Sequence, residues 1–175
     1  MSLKTLVGII DYGMGNIKSV EKALSFIGVE SKIVDNSIAL QDCTHIILPG
    51  VGSFGEAVKN LKDKGLFEAL QQNKKPLLGI CLGMQLLAES SEESPGVSGL
   101  GLIKGRVSKL KSEKLPHIGW DDGYYYVHSY GLNADDTGFT KMYFDNNIWA
   151  VQFHPEKSQE KGLGLLKEFV CLPSE

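Results

Sequence analysis

The stretch "PLLGICLGMQLL", residues 76 to 87, constrains the fold most. A short apolar run drives into Gly79-Ile80-Cys81-Leu82-Gly83, and a second apolar run leaves it with helical spacing. That pattern predicts a strand, a sharp turn and a helix, with a thiol at the turn. A thiol that only fills core needs no glycines around it. In a nucleophile elbow they have a use, because the central residue is strained and neighbouring side chains would clash. The turn also sets the sulfur beside backbone N–H groups at the helix start, which raises the thiolate fraction. The five residues alone leave core filler and nucleophile at even odds.

The first half of the chain repeats the strand–helix alternation. Residues 6 to 10 are an apolar run closed by the glycine-rich turn "DYGMGN". Ile17, Val20, Leu24 and Ile27 then fall at helical spacing, and Gly28 ends that helix. "HIIL", residues 45 to 48, reads as a buried strand stopped by Pro49. After "PGVGSFG", Ser53 and Glu56 form an S-x-x-E capping box for a helix that Gly65 ends. The second half differs. "GLIKGRVSKL", "YYYVHSY" and "IWAVQF" are strand-like, and Leu163, Leu166 and Val170 predict a closing amphipathic helix. The expectation is one α/β domain, residues 1 to 175. It has a mostly parallel open sheet flanked by helices, with antiparallel additions to that sheet in the C-terminal half.

Composition narrows the function classes. A net charge of -3 with no Lys/Arg cluster argues against nucleic acid. Cys43, Cys81 and Cys171 are far apart and form no C-x-x-C pair, which argues against a zinc site or a disulfide framework. That usage suits a reducing cytoplasm. No stretch approaches the ~20 apolar residues of a membrane span. The apolar run near the N-terminus is too short for a signal peptide and reads as a first strand.

A nucleophilic cysteine needs a base. His45 lies in the "HIIL" strand and reads as structural, while His117 and His128 sit among aromatic residues. His154 opens "HPEKS" straight after a strand, and in an extended segment Glu156 points to the same side. A carboxylate there orients the imidazole and stabilises its charged form, the third member of a Cys–His–Glu arrangement. Taken alone, "HPE" is more often a strand-to-loop junction with a solvated glutamate. "PGVGSFG" can turn backbone N–H groups inward to meet a developing oxyanion, with the N–H of Leu82 as the natural second donor. It can equally be a turn and helix cap.

Taken together, "PGVGSFG", "GICLGMQLL", "PHIGWD", "YYYVHSY" and "VQFHPEKSQ" occur in the order seen in class I, or triad-type, glutamine amidotransferases. "DYGMGN" and "FHPEKS" narrow the likeness, so the chain resembles the glutaminase subunits of imidazole glycerol phosphate synthases. The resemblance covers nearly the whole chain. It implies that Cys81 attacks the side-chain amide of glutamine, served by His154 and Glu156. It places Gly50, Val51 and Gly52 beside the oxyanion site, where one peptide has to turn before the hole is complete. Val51 and Leu82 would supply the donors. Gln85 and Glu93, with the backbone at Ser129 and Tyr130, match positions that hold the substrate's amino-acid end. No metal or organic cofactor is implied. The implied partner is a cyclase subunit with a (β/α)₈ barrel, forming a heterodimer, and Met14, Asn16, Trp120 and Lys157 match its docking surface.

Other readings remain in view. The same glutaminase could supply a related synthase that aminates a sugar nucleotide for surface polysaccharide. A non-catalytic binding module would be expected to have lost one of Cys81, His154 and Glu156. A stand-alone hydrolase of γ-glutamyl bonds would not need the partner-facing "DYGMGN" and "PHIGWD" segments. Two stretches are also short for the family: only Gly123 separates "GWDD" from "YYYVHSY", and residues 131 to 146 are few. Asp122-Gly123 would make a good two-residue hairpin turn. The preferred expectation is instead that loop residues are missing, leaving a backbone break between Asp122 and Gly123 and another within 131 to 146.

Overall fold

The computed structural model describes residues 4–134 and 138–174. Its apolar runs form a six-stranded sheet built from β1 (Leu6–Ile10), β2 (Glu30–Val34), β3 (His45–Leu48), β4 (Leu77–Ile80), β10 (Met142–Asp145) and β11 (Ile148–Val151). The spatial order is β10-β11-β4-β3-β1-β2. Every pairing is parallel except β10 with β11. Successive residues point to opposite faces, so both faces must be apolar and both are covered. Ile46, Leu48 and Leu77 pack with α2 (Phe54–Asp63), α3 (Leu66–Gln71) and α4 (Leu82–Leu86). Ile47, Leu78 and Ile80 pack on the other face with α1 (Ile17–Phe26) and α5 (Gln159–Val170).

Helix ends follow the sequence in part. Gly28 (φ 78°) and Gly65 (φ 67°) stand just past the ends of α1 and α2, in the left-handed region that favours glycine. The capping box is corrected. Ser53 is the N-cap of α2 but makes no side-chain cap bond. The first amides of that helix go elsewhere: Phe54 N–H donates to Glu93 Oε2 (3.0 Å) and Gly55 N–H to Ser94 Oγ (2.9 Å). A carboxylate and a hydroxyl from a distant segment thus cap the helix at its first two amides, in place of a Ser53–Glu56 box.

Of the strand-like runs in the second half, "IWAVQF" joins the main sheet, parallel to β4. The others build two separate small sheets, rather than adding to the main one. β5 (Ser90–Ser91), β6 (Arg106–Lys109) and β9 (Tyr130–Asn133) form one, and β7 (His117–Asp121) with β8 (Tyr124–His128) forms a hairpin. Asp121 pairs with Tyr124 across Asp122 (φ 48°) and Gly123 (φ 80°). Two left-handed residues in a two-residue loop match the twist of the flanking strands. The break expected between Asp122 and Gly123 is therefore corrected to a compact hairpin. In the second short stretch, Thr140 N–H donates to Leu132 O (2.7 Å). Residues 135–137, within the other expected break, lie outside the described residues.

Candidate active site

The register of β4 and β11 assembles the site. Ile80 pairs with Val151, and Cys81 N–H donates to Val151 O at 2.9 Å. The residues that leave these two strands therefore emerge side by side at the carboxyl edge of the sheet, where ligands of open α/β sheets bind. Cys81 leaves β4 at φ 55° and ψ -112°, a conformation that strains any residue with a Cβ. The flanking glycines explain themselves. A Cβ on Gly79 would lie 2.8 Å from the carbonyl oxygen of Gly83, and one on Gly83 would overlap the carbonyl oxygen of Leu48. Strand and helix meet backbone to backbone, and the thiol stands at the bend.

His154 follows β11 and is fixed by its own N–H donating to Tyr125 O (2.9 Å). Its Nδ1 lies 2.8 Å from Glu156 Oε1, with the two side chains only 4% and 1% exposed. The extended geometry expected for this pair is not what brings it together. Pro155–Lys157 is a single 3₁₀ turn, and the turn carries Glu156 behind the imidazole. With Nδ1 taken, Nε2 is the nitrogen left for the sulfur. Burial opposes charge on His154, but the neighbouring Cys81 and Glu156 outweigh it and push the imidazole up to about 10. The pair thus favours the charged form of the imidazole. Glu156 Oε2 is buried and has no hydrogen-bond partner among the described residues.

Beside Cys81 lies a cleft of about 360 Å³. Val51, Gly52, Leu82, Gln85, Glu93, Ser129, Tyr130 and Lys157 are among the residues that line it. Gly50 is just behind this wall, and its carbonyl accepts the Leu82 N–H at 3.3 Å. Any side chain on Gly50 would run into the Tyr12 hydroxyl. That hydroxyl donates to Pro49 O (2.7 Å), and burial raises its pKa well above the usual phenol range. Met14 covers Gly52 closely enough that a Cβ there would come 2.6 Å from its Cε. Asn16 occupies the N-cap position of α1 without a side-chain cap bond. Trp120 stands on β7, 54% exposed, against the Tyr125 ring (5.5 Å between centroids), so it is no core residue. Lys157 is exposed at the cleft edge, while Met14 and Asn16 are half-buried.

The structure also places residues that the sequence reading passed over. Gln152 is fully buried, and its Nε2 donates to Cys81 Sγ at 3.6 Å. An amide inside the otherwise apolar run "IWAVQF" was the available signal. Ser158 accepts from Tyr125 N–H (3.0 Å) and donates to His154 O (2.6 Å), tying β8 to the loop that holds His154. His45 stays structural, bonded to Thr44 and to Leu172 O. His128 lines the cleft with its Nδ1 donating to Tyr130 O (2.8 Å), and burial pulls its imidazole below the ordinary histidine value. Among the described residues there is no cluster of His, Cys, Asp and Glu that could hold a metal ion, and no helix long and apolar enough to cross a membrane.

This geometry has known counterparts. Residues 8–171 match the family model for glutamine amidotransferase class-I. Among curated proteins, the chain is 42% identical to "Imidazole glycerol phosphate synthase subunit HisH" of Methanocaldococcus jannaschii, over 95% of this chain and 100% of that one. It is 40% identical to the protein of the same name from Caldanaerobacter subterraneus subsp. tengcongensis, over 94% and 97%. Both alignments run over 196 residues against a chain of 175, so these relatives carry segments that this one lacks. Among solved structures, that of a glutamine amidotransferase superimposes with a TM-score of 0.78 at 20% identity, covering 95% of this chain and 97% of that one. The structure of PurLQS from Thermotoga maritima gives 0.64 at 20%, covering 93% and 92%. At that identity the two structures speak for the fold alone.

Proposed function

This chain belongs to the class I glutamine amidotransferases, and we propose that residues 1–175 form one glutaminase domain that releases ammonia from glutamine for a synthase partner. The acceptor is the cyclase that makes imidazole glycerol phosphate in histidine biosynthesis, in the cytoplasm. The curated relatives' shared name, a subunit of imidazole glycerol phosphate synthase, favours this acceptor over a sugar nucleotide. The partner is a (β/α)₈ barrel docked over Met14, Asn16, Trp120 and Lys157; of these Lys157 lines the cleft, and Met14 lies against Gly52, which lines it too.

The His154–Glu156 pair beside the elbow sulfur carries this reading. Cys81, as the thiolate, attacks the amide carbon of glutamine. A C–S bond forms and the carbonyl electron pair moves to oxygen. The His154 imidazolium then gives its proton to the amide nitrogen, the C–N bond breaks, and ammonia leaves. A water attacks the thioester while the now neutral His154 takes its proton. The C–S bond breaks, its electron pair returns to sulfur, and glutamate is released. Glu156 holds the imidazole in the required tautomer and offsets its charge.

The oxyanion needs the N–H groups of Val51 and Leu82. Leu82 N–H is bonded to Gly50 O, so the Gly50–Val51 peptide has to turn over. That exchanges a carbonyl for an N–H and frees Leu82 at the same time. Gln85 and Glu93, with Ser129 and Tyr130, hold the amino-acid end of the substrate. Gln85 Nε2 donates to Tyr130 O and to Gln152 Oε1, which leaves Gln85 Oε1 to accept from an ammonium group. The test is glutamate release by the chain mixed with a cyclase barrel and its nucleotide ligand. Release that Cys81→Ala abolishes supports the reading. Release that persists in Cys81→Ala contradicts it.

A further inference from the structure

We propose that Gln152 is a further catalytic residue, an amide donor to the Cys81 sulfur that holds it as a thiolate before attack and again as it leaves the acyl intermediate. The proposal rests on the glutaminase reading and adds to it a group outside the Cys–His–Glu set.

The orientation of the Gln152 amide is fixed by its surroundings. A backbone carbonyl only accepts, so Tyr130 O forces Gln85 to turn its NH₂ group toward it (3.0 Å). The same NH₂ group faces Gln152 at 3.2 Å. Gln152 must answer with its oxygen, which turns its own NH₂ toward Cys81 Sγ, 3.6 Å away. Reversing Gln152 would set NH₂ against NH₂ on one side and leave an oxygen against sulfur on the other. Gln152 is fully buried, so water does not compensate for a wrong orientation.

A sulfur that stays protonated has another partner here. Cys81 Sγ lies 3.8 Å from Val127 O, which the thiol can use as an acceptor. Once ionised, the sulfur loses that bond and faces a carbonyl dipole of the wrong sign. The Gln152 amide then donates to the sulfur, with the His154 imidazole as its neighbour. During hydrolysis of the thioester the C–S electron pair returns to sulfur, and the Gln152 N–H already points there. A donor that steadies the thiolate also makes it a somewhat weaker nucleophile. The gain is therefore greatest where thiolate population or departure limits the rate. The β4–β11 register sets up the contact, because Ile80 pairs with Val151 and Cys81 and Gln152 are the residues that follow each strand.

The test is the pH dependence of Cys81 alkylation by iodoacetamide in the full chain, read on the Cys81 peptide by mass spectrometry. It uses wild type, Gln152→Met and Gln152→Leu. Gln152→Met keeps the length of the side chain and removes the donor. Gln152→Leu removes the donor with a branched apolar side chain, so it carries the test if Gln152→Met fails to fold. The pH midpoint of alkylation should rise by about one unit in either variant, the loss of one hydrogen bond to a charged atom. In the complex with its partner, the folded variant should lower kcat about tenfold or more with little change in KM. A wild-type midpoint in both folded variants would overturn the proposal while leaving the glutaminase reading intact. A wild-type chain in which Cys81 never reacts would overturn both.

Discussion

The N–H of Leu82 donates to the carbonyl oxygen of Gly50 at 3.3 Å, across the place where an oxyanion would need both neighbours as donors. On the proposed function, this peptide holds the site in a form that binds poorly to a transition state. Gly50 tolerates no side chain and Gly52 has a φ of 114°, so this loop is built from residues able to adopt more than one backbone arrangement.

The first prediction is that the isolated chain is a poor glutaminase. Losing one oxyanion donor costs about 10²–10³ in kcat, so the partner and its nucleotide should raise glutamate release by at least roughly 100-fold. Steady-state release, with and without the partner, measures this. Full activity in the isolated chain would favour a stand-alone hydrolase.

The second concerns Glu156→Gln. The His154 imidazole is raised from its ordinary 6.5 to about 10, with burial opposing the charge and Cys81 and Glu156 favouring it. A group raised on folding contributes stability that is fully present below its unfolded value and lost as pH rises through its folded value. The melting-temperature advantage of wild type over Glu156→Gln should therefore be largest below pH 6.5 and shrink toward about pH 10. Activity should fall by about 10²–10⁴ in the variant, as when an orienting carboxylate is neutralised. A pH-independent advantage would show that the pair contributes packing alone.

Two glycines should respond in opposite directions. A Cβ on Gly83 overlaps the Leu48 carbonyl, a backbone atom that cannot step aside. Gly83→Ala should cost about 3 kcal/mol in urea unfolding. Gly164, inside α5, has nothing within 4 Å of an added Cβ. Gly164→Ala should stabilise by about 0.5–1 kcal/mol. Equal effects at the two positions would contradict the elbow packing described above.

How much of this was legible in the sequence follows from the range of each interaction. The strands at residues 6 to 10, 45 to 48 and 77 to 80, with helices α1 and α2, were legible because apolar period and glycine stops act locally, whereas the short α3 went unread. β2 escaped notice because "ESKIV" is partly exposed at the sheet edge and carries little apolar signal. Pairing is a long-range property, so "GLIKGRVSKL" and "YYYVHSY" read as strands without revealing that they leave the main sheet. The same limit hid Glu93 and Ser94 as caps of α2, since Ser53 and Glu56 match the local rule and lose to groups that arrive through tertiary folding. Cys81, His154 and Glu156 could be singled out by residue chemistry and motif order. Gln152 needed the register of two strands distant in sequence.

The most direct test of the Cys81–His154–Glu156 account is covalent trapping with a glutamine analogue bearing an electrophile in place of the amide, followed by peptide mapping. The chain offers three free cysteines: Cys43 and Cys81 are buried, and Cys171 is exposed. The account predicts a single adduct on Cys81, formed in the wild type and much more slowly in His154→Ala. Labelling that followed exposure and fell on Cys171, or that ignored the loss of His154, would contradict it.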